Sequence, residues 1–156
     1  MENSLLDDEN YRLLKLMRNT MDAVVKVRKK ELSQYGLLPR QAAVLFAIKA
    51  LGEKATAAEI AHFLFREHHT ITGIVSRMEK DGLVKKVKIT EGKNLTRIIL
   101  TDRGEQAFHQ STKREALNEI MAIISEEERQ QLKSCLEKIQ DAALKQLGIN
   151  QKPTFP

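Results

Sequence analysis

The chain has one cysteine, three prolines and seven glycines, and aromatic residues make up only 4% of it. A single thiol, Cys135, excludes an intramolecular disulfide and any cysteine-based zinc cage within one chain. The longest unbroken apolar run is the seven residues from Ala42 to Ile48. A membrane-crossing helix needs ~18, so no membrane partner is expected. The opening Met-Glu-Asn-Ser-Leu-Leu-Asp-Asp lacks the cationic start and apolar core of a secretory signal, which predicts a cytoplasmic protein. No glycine-rich phosphate loop, metal-protease signature or nucleophile elbow occurs. Serine, threonine and acidic residues stand singly, mainly where helix caps or solvated faces account for them. The expectation is no enzyme, no cofactor and no resident metal.

What is present suits one folded unit. With 156 residues, 30% charged and 42% hydrophobic, the chain reads as a largely helical protein with a modest core. Its net charge of +5 and pI near 9.4 favour a polyanionic partner. Basic balance alone fits nucleic acid, acidic lipid or acidic protein equally well, so motifs must decide.

The informative stretch is Thr56 to Gly104. Thr56 followed by Glu59 has the form of a capping box, which starts a helix with Ile60, Ala61 and Leu64 as its apolar stripe. The polar run Arg66-Glu67-His68-His69 interrupts that stripe before a second one begins at Ile71, Ile74, Val75 and Met78. Two short helices joined by a tight turn result, and Gly82 fits the left-handed position that closes the second. Val84 to Ile89 and Leu95 to Leu100 then read as strands around a Thr-Glu-Gly-Lys-Asn turn. Period two places Val87 and Ile89 on one side of the first strand and Lys86 and Lys88 on the other, giving a cationic face. From Arg66 to Arg103 there are nine Lys or Arg against five acids, which is +4 of the chain's +5.

Long helices flank this unit. From about Asp8 to Leu32 neither Gly nor Pro occurs, and Leu14, Met17, Met21, Val24 and Val25 form a stripe that Leu13, Leu16, Ala23 and Val27 widen. That width suggests a second surface to bury, such as a partner subunit, although a broad core face is the alternative. Pro39 fits the first turn of a helix from Arg40 to Leu51, ended by Gly52. Beyond the strands two more helices are expected, one capped by Thr101 or Asp102 and one by the Ser125/Glu128 capping box. The last carries Leu132, Cys135, Leu136, Ile139, Ala142, Ala143 and Leu147 at helical spacing. The cysteine shares that apolar stripe, so it is expected to be buried. The tail from Ile149 to Pro156 has two prolines and no periodicity.

Helix, turn, helix and basic hairpin in this order resembles the winged helix-turn-helix of the MarR family of bacterial transcription regulators. The resemblance rests on SRMEKDGLV at the end of the second helix, LTDRG after the hairpin, LPRQAAVL opening an earlier helix, and the long flanking helices. It implies a mainly α (α+β) fold over residues 1–156: a winged-helix DNA-binding lobe at 36–104 and dimerisation helices at 5–32 and 105–148. It also implies a homodimeric, ligand-responsive repressor of transcription that binds an inverted repeat in double-stranded DNA. By that analogy the second helix enters the major groove and the hairpin wing an adjacent minor groove. One departure matters. Where the family carries an Asp and an Arg at the wing tip, this chain has Gly92 and Asn94, which leaves Lys93 as the nearest cation and Arg97 behind it.

The DNA-contact candidates are His68, His69, Thr70, Thr72, Gly73, Ser76 and Arg77 on the helix, with Lys85, Lys86, Lys88, Lys93, Asn94 and Arg97 on the hairpin. Self-association is assigned to Leu13, Leu16, Leu132, Cys135, Leu136, Ile139 and Leu147. Relatives often take a small aromatic effector between lobe and dimer helices, which makes Met17, Met21, Tyr35 and Phe46 candidate lining residues; each is equally readable as core. Three rival readings stand beside this one. The winged helix also suits a module for protein or RNA, His62, His68 and His69 offer metal-ligand types in one stretch, and Cys135 offers a thiol for redox sensing.

Overall fold

The computed structural model describes residues 8–89 and 95–149. Helix α2 (Pro39–Leu51) lies at its centre, and its sequence explains why. Ala42, Val44, Leu45, Ala47 and Ile48 point in several directions around the helix, and all are buried. A helix apolar on most sides needs neighbours on most sides. These are α3 (Ala57–Phe63), α4 (His68–Lys80), strand β2 (Leu95–Leu100) and α5 (Asp102–Ser111), which close one core around Leu45, Ile60, Ile71, Met78 and Ile98. Pro39 occupies the first helical position, the Gln41 side chain accepts the Leu38 N–H at 2.9 Å, and Gly52 at φ 55° ends the helix.

The remaining elements are α1 (Glu9–Ser33), β1 (Val84–Ile89), α6 (Glu115–Met121) and α7 (Glu126–Gln146), with one 3-10 turn at Gly52–Lys54. Asp8 caps α1 by accepting from the amides of Asn10 and Tyr11 at 2.9 and 3.2 Å. At Thr56 the hydroxyl half of the capping box forms, accepting from Glu59 N–H at 3.2 Å, without the return bond from Glu59. At Ser125 both halves form. Residues 5–7 of the first predicted helix, the hairpin turn 90–94 and the tail 150–156 lie outside the described residues.

Three helices follow the hairpin where two were expected. The extra break comes at Arg114, which adopts left-handed φ 51° between α5 and α6. No Gly or Pro marks that position in the sequence. The turn between α3 and α4 is similar: Phe65 takes φ 51° where glycine is the usual occupant, while Arg66 N–H closes on the Ala61 carbonyl at 2.9 Å.

The hairpin is antiparallel, in the register Val84↔Leu100 to Ile89↔Leu95. Val84 and Ile98 share a face and are buried against the core. By the same alternation Lys86 and Lys88 continue that face outward, past the edge of the core. Val87 and Ile89 are on the opposite side and are also exposed, so beyond its base the hairpin stands clear of the body. A bond from Ile98 N–H to the Ala55 carbonyl (2.7 Å) and a bridge between Thr56 and Arg97 tie that base to the start of α3.

The two sequence motifs on either side of the hairpin meet in space. Gly82, at φ 71°, turns the chain out of α4, and Thr101 receives it: its hydroxyl donates to the Gly82 carbonyl at 2.6 Å and its amide to the Leu83 carbonyl at 3.1 Å. The same hydroxyl caps α5 by accepting from Gly104 N–H at 3.0 Å, and Arg103 donates to the Asp81 carbonyl at 2.8 Å. Gly104 is required by closeness: a Cβ there would sit 2.0 Å from the Leu83 carbonyl oxygen, a backbone atom that cannot swing away. Gly104→Ala should therefore cost stability at the upper end of the about 1–3 kcal/mol typical of overpacking, read by urea denaturation. A loss below about 0.5 kcal/mol, the usual range for a neutral surface change, would mean that the contact is not this tight.

The terminal helices join the body through a second, half-buried contact. Arg28 on α1 donates one guanidinium nitrogen to the Glu31 carboxylate and another to the Ser111 carbonyl at the end of α5. The second oxygen of Glu31 accepts the Ala116 N–H of α6 at 3.0 Å. Burial works to raise the Glu31 pKa, but the bonds from Arg28 and from the Ala116 amide, with the Arg28 charge, hold it below the ordinary glutamate value.

Candidate nucleic-acid interface

Helix α4 turns Ile71, Val75 and Met78 into the core. At 100° per residue that leaves His69, Gly73, Ser76, Arg77 and Lys80 on the opposite side. Of these, His69, Arg77 and Lys80 are fully exposed, while Gly73 and Ser76 are half-buried. Lys80 was not among the sequence candidates, although the same spacing identifies it. Thr72 lies on one flank and its hydroxyl donates to the His68 carbonyl at 3.0 Å, which leaves its lone pairs free to accept. Thr70 lies on the other flank and lines a groove with Val25, Pro39 and Arg40. Thr70 and Thr72 thus belong to different faces of the helix, and Thr70 does not join the outward group.

The hairpin stands beside this helix. Lys86 pairs with Glu79 at 2.9 Å and reaches Ser76 Oγ at 3.5 Å, so it bridges wing and helix rather than projecting freely. Lys85 and Lys88 are exposed. Arg97 sits lower, at the wing base: one guanidinium nitrogen lies 3.7 Å from the Glu53 carboxylate, and its Nε is buried without a partner. Lys93 and Asn94 lie outside the described residues. The result is a helix face of histidine, glycine, serine and lysine, flanked by a cation-bearing ribbon and almost free of apolar groups. Such a surface can donate to phosphates and present small polar groups to base edges.

The proposed effector residues do not gather. Met17 lines an apolar cleft of ≈ 540 Å³ between α1 and α7. Tyr35 borders a polar cavity of ≈ 160 Å³ beside Gln41 and Arg103. Phe46 packs against Phe63 with ring centroids 6.4 Å apart, and Met21 is exposed on α1. The groove that contains Thr70 was missed: ≈ 390 Å³, with a floor of Val25, Ala43, Leu64 and Ile74 and the side chains of Arg40 and Arg66 on its lining. It draws its lining from α1, α2, α4 and the turn after α3, so no local pattern announces it.

Leu13, Leu16, Leu132, Leu136, Ile139 and Leu147 are all exposed large apolar groups. Cys135 is exposed too, which departs from the expected burial: α7 buries only Leu144, and among the described residues none covers the Cys135 stripe. Among the described residues no three His, Cys, Asp or Glu side chains converge as a metal site, and no helix is long and apolar enough to cross a membrane.

A buried three-helix unit with its last helix beside a two-stranded ribbon defines a winged helix-turn-helix protein. Residues 35–93 match the model of the MarR family. The uncharacterized HTH-type transcriptional regulator YsmB of Bacillus subtilis (strain 168) is 28% identical over 121 residues, 76% of this chain and 82% of that protein. The ligand-free organohalide-sensing regulator RdhR-CbdbA1625 superposes with a TM-score of 0.83 at 26% identity, over 98% of this chain and 94% of that one. Its 2,4-dichlorophenol-bound form gives 0.79 at 28% identity, over 90% and 85%. A mutant MarR from E. coli complexed with operator DNA shares the fold, with a TM-score of 0.77 at 19% identity over 85% and 96%. The chain thus shares a MarR-type segment at residues 35–93 and the winged-helix fold of these regulators.

Alanine variants should divide the interface into two classes. His69→Ala or Thr72→Ala should lose about 1–3 kcal/mol on the preferred duplex and relax choice at one base pair. Lys85→Ala or Lys88→Ala should weaken all duplexes and reduce the salt slope by about one. Unchanged sequence preference in both helix variants would show that α4 is not the reader.

Proposed function

We propose that the protein is a homodimeric transcriptional repressor that binds an inverted repeat in double-stranded DNA and responds to a small aromatic effector. The observation that carries this is the pairing of an outward polar helix face with a cation-bearing hairpin fixed beside it. Phosphate contacts supply affinity and base-edge contacts supply choice, and one surface here offers both. Lobe 36–104 does the binding, and the helical segments 5–32 and 105–148 join two protomers through Leu13, Leu16, Leu132, Cys135, Leu136, Ile139 and Leu147. Twofold pairing would bury the same apolar patch on both chains. The role is cytoplasmic and not enzymatic. Asn94 in place of arginine gives the wing tip little grip on the minor groove, so discrimination rests on α4.

For the effector, the groove beside Thr70 is a better seat than the scattered set read from sequence. Its aliphatic floor suits an aromatic ring, and Arg40 and Arg66 suit a carboxylate or phenolate. The similar organohalide-sensing regulator was solved with 2,4-dichlorophenol bound, which supports this ligand class. Because the groove abuts α4, an occupant can alter that helix directly.

Selection of bound fragments from random duplex DNA, with light scattering on the free protein, tests the reading. The expected outcome is a dimer that selects an inverted repeat with half-site centres about 10 bp, or roughly 34–36 Å, apart. Addition of salicylate or a chlorophenol should shift its affinity in the native protein but not after Arg66→Ala. A monomer that binds one half-site as tightly as the repeat would refute the dimer, and preference for RNA over duplex DNA would favour the interaction-module alternative.

A further inference from the structure

We infer that Arg28 and Glu31 are positioning residues that fix the angle between the DNA-binding lobe and the terminal helices, and so set the half-site spacing the protein accepts. This rests on the dimeric DNA-binding reading. Helix α5, which starts at the end of the lobe, closes at Ser111, and three residues later the chain turns into α6 through Arg114 at φ 51°. A side chain in that conformation persists only where its surroundings over-determine it. Here they do so on both sides of the turn. Arg28 holds the Ser111 carbonyl before it, Glu31 holds the Ala116 amide after it at 3.0 Å, and the two side chains hold each other. Arg114 itself stacks over the Phe46 ring of α2, its guanidinium carbon 5.2 Å from the centroid.

The clasp is placed to control geometry. Its side chains are only 13% and 10% exposed, so water competes weakly for their bonds. Both come from α1, which also carries Leu13 and Leu16 of the proposed dimer surface. The groups they hold belong to the end of α5 and the start of the run leading to α7. One ion pair therefore joins both dimer-forming ends of the chain to the lobe at its single strained joint. Within one protomer α1 buries only Leu32 and α7 only Leu144, so apolar packing leaves part of the orientation of these helices to this joint. In a twofold dimer a small rotation there occurs twice and changes the separation of the two α4 helices directly.

Arg28→Lys keeps the charge but loses the planar fork that reaches Glu31 and Ser111 together. Glu31→Gln keeps the shape but loses the charge. Affinity would be measured for a single half-site and for inverted repeats whose spacers differ by single base pairs, with thermal unfolding followed in parallel. The native protein should prefer one spacer, and each variant should keep half-site affinity while its preference over neighbouring spacers falls by about fivefold or more. Unchanged spacer preference in both variants overturns the inference, as does a native protein indifferent to spacer. Unfolding of both variants at the assay temperature overturns it as well, because the clasp would then hold the fold rather than an angle. Failure of the native protein to bind any half-site refutes the reading beneath it instead.

Discussion

The meeting of Leu83 and Gly104 is the contact on which the interface depends. The end of α4 and the start of α5 approach so closely that no side chain fits between them. Thr101 uses its amide and its hydroxyl to hold the last residues of that turn. Since the hairpin leaves from one side of this junction and returns to the other, its base is fixed relative to α4 by backbone geometry. The exposed Lys86–Glu79 pair adds little to that, since surface pairs contribute only about 0–1 kcal/mol. Its effect is local: it holds Lys86 and Ser76 against each other. Helix α4 and the hairpin are thus tied together at their shared base, which holds the polar helix face and the cationic ribbon side by side.

The terminal helices obey a different logic. Their apolar stripes are largely exposed in the single chain, and their attachment to the lobe includes Leu32, the half-buried Arg28–Glu31 pair and one strained turn. Burying an ion pair costs desolvation, which is offset here because each partner also bonds the backbone of another element. Specificity of arrangement, more than stability, is what such a pair supplies.

Local signals in the sequence reached as far as local causes do. Pro39, Thr56, Gly82 and Ser125 stand where the helices begin or end, because capping chemistry acts within four residues. The break at Arg114 was not legible: its conformation is imposed by Arg28 and Glu31, more than eighty positions earlier in the chain. The separation of Thr70 from Thr72 was legible, since 100° per residue already places them on opposite flanks of α4. The effector groove and the exposure of Cys135 depend on which elements pack together and which surfaces stay open, and periodicity within one helix carries no record of either. Histidine, threonine and serine on the open side of α4 were visible for the opposite reason: a buried stripe of Ile71, Val75 and Met78 fixes by exclusion what faces out.

The central claim is that α4 reads bases from the major groove while the hairpin follows the backbone beside it. Methylation interference on a selected duplex tests this most directly, because guanine N7 lies in the major groove and adenine N3 in the minor. The account predicts that N7 methylation near the centre of each half-site blocks binding, with little effect from N3 methylation where the wing lies. Interference confined to adenine N3, or absent from both grooves, would contradict it.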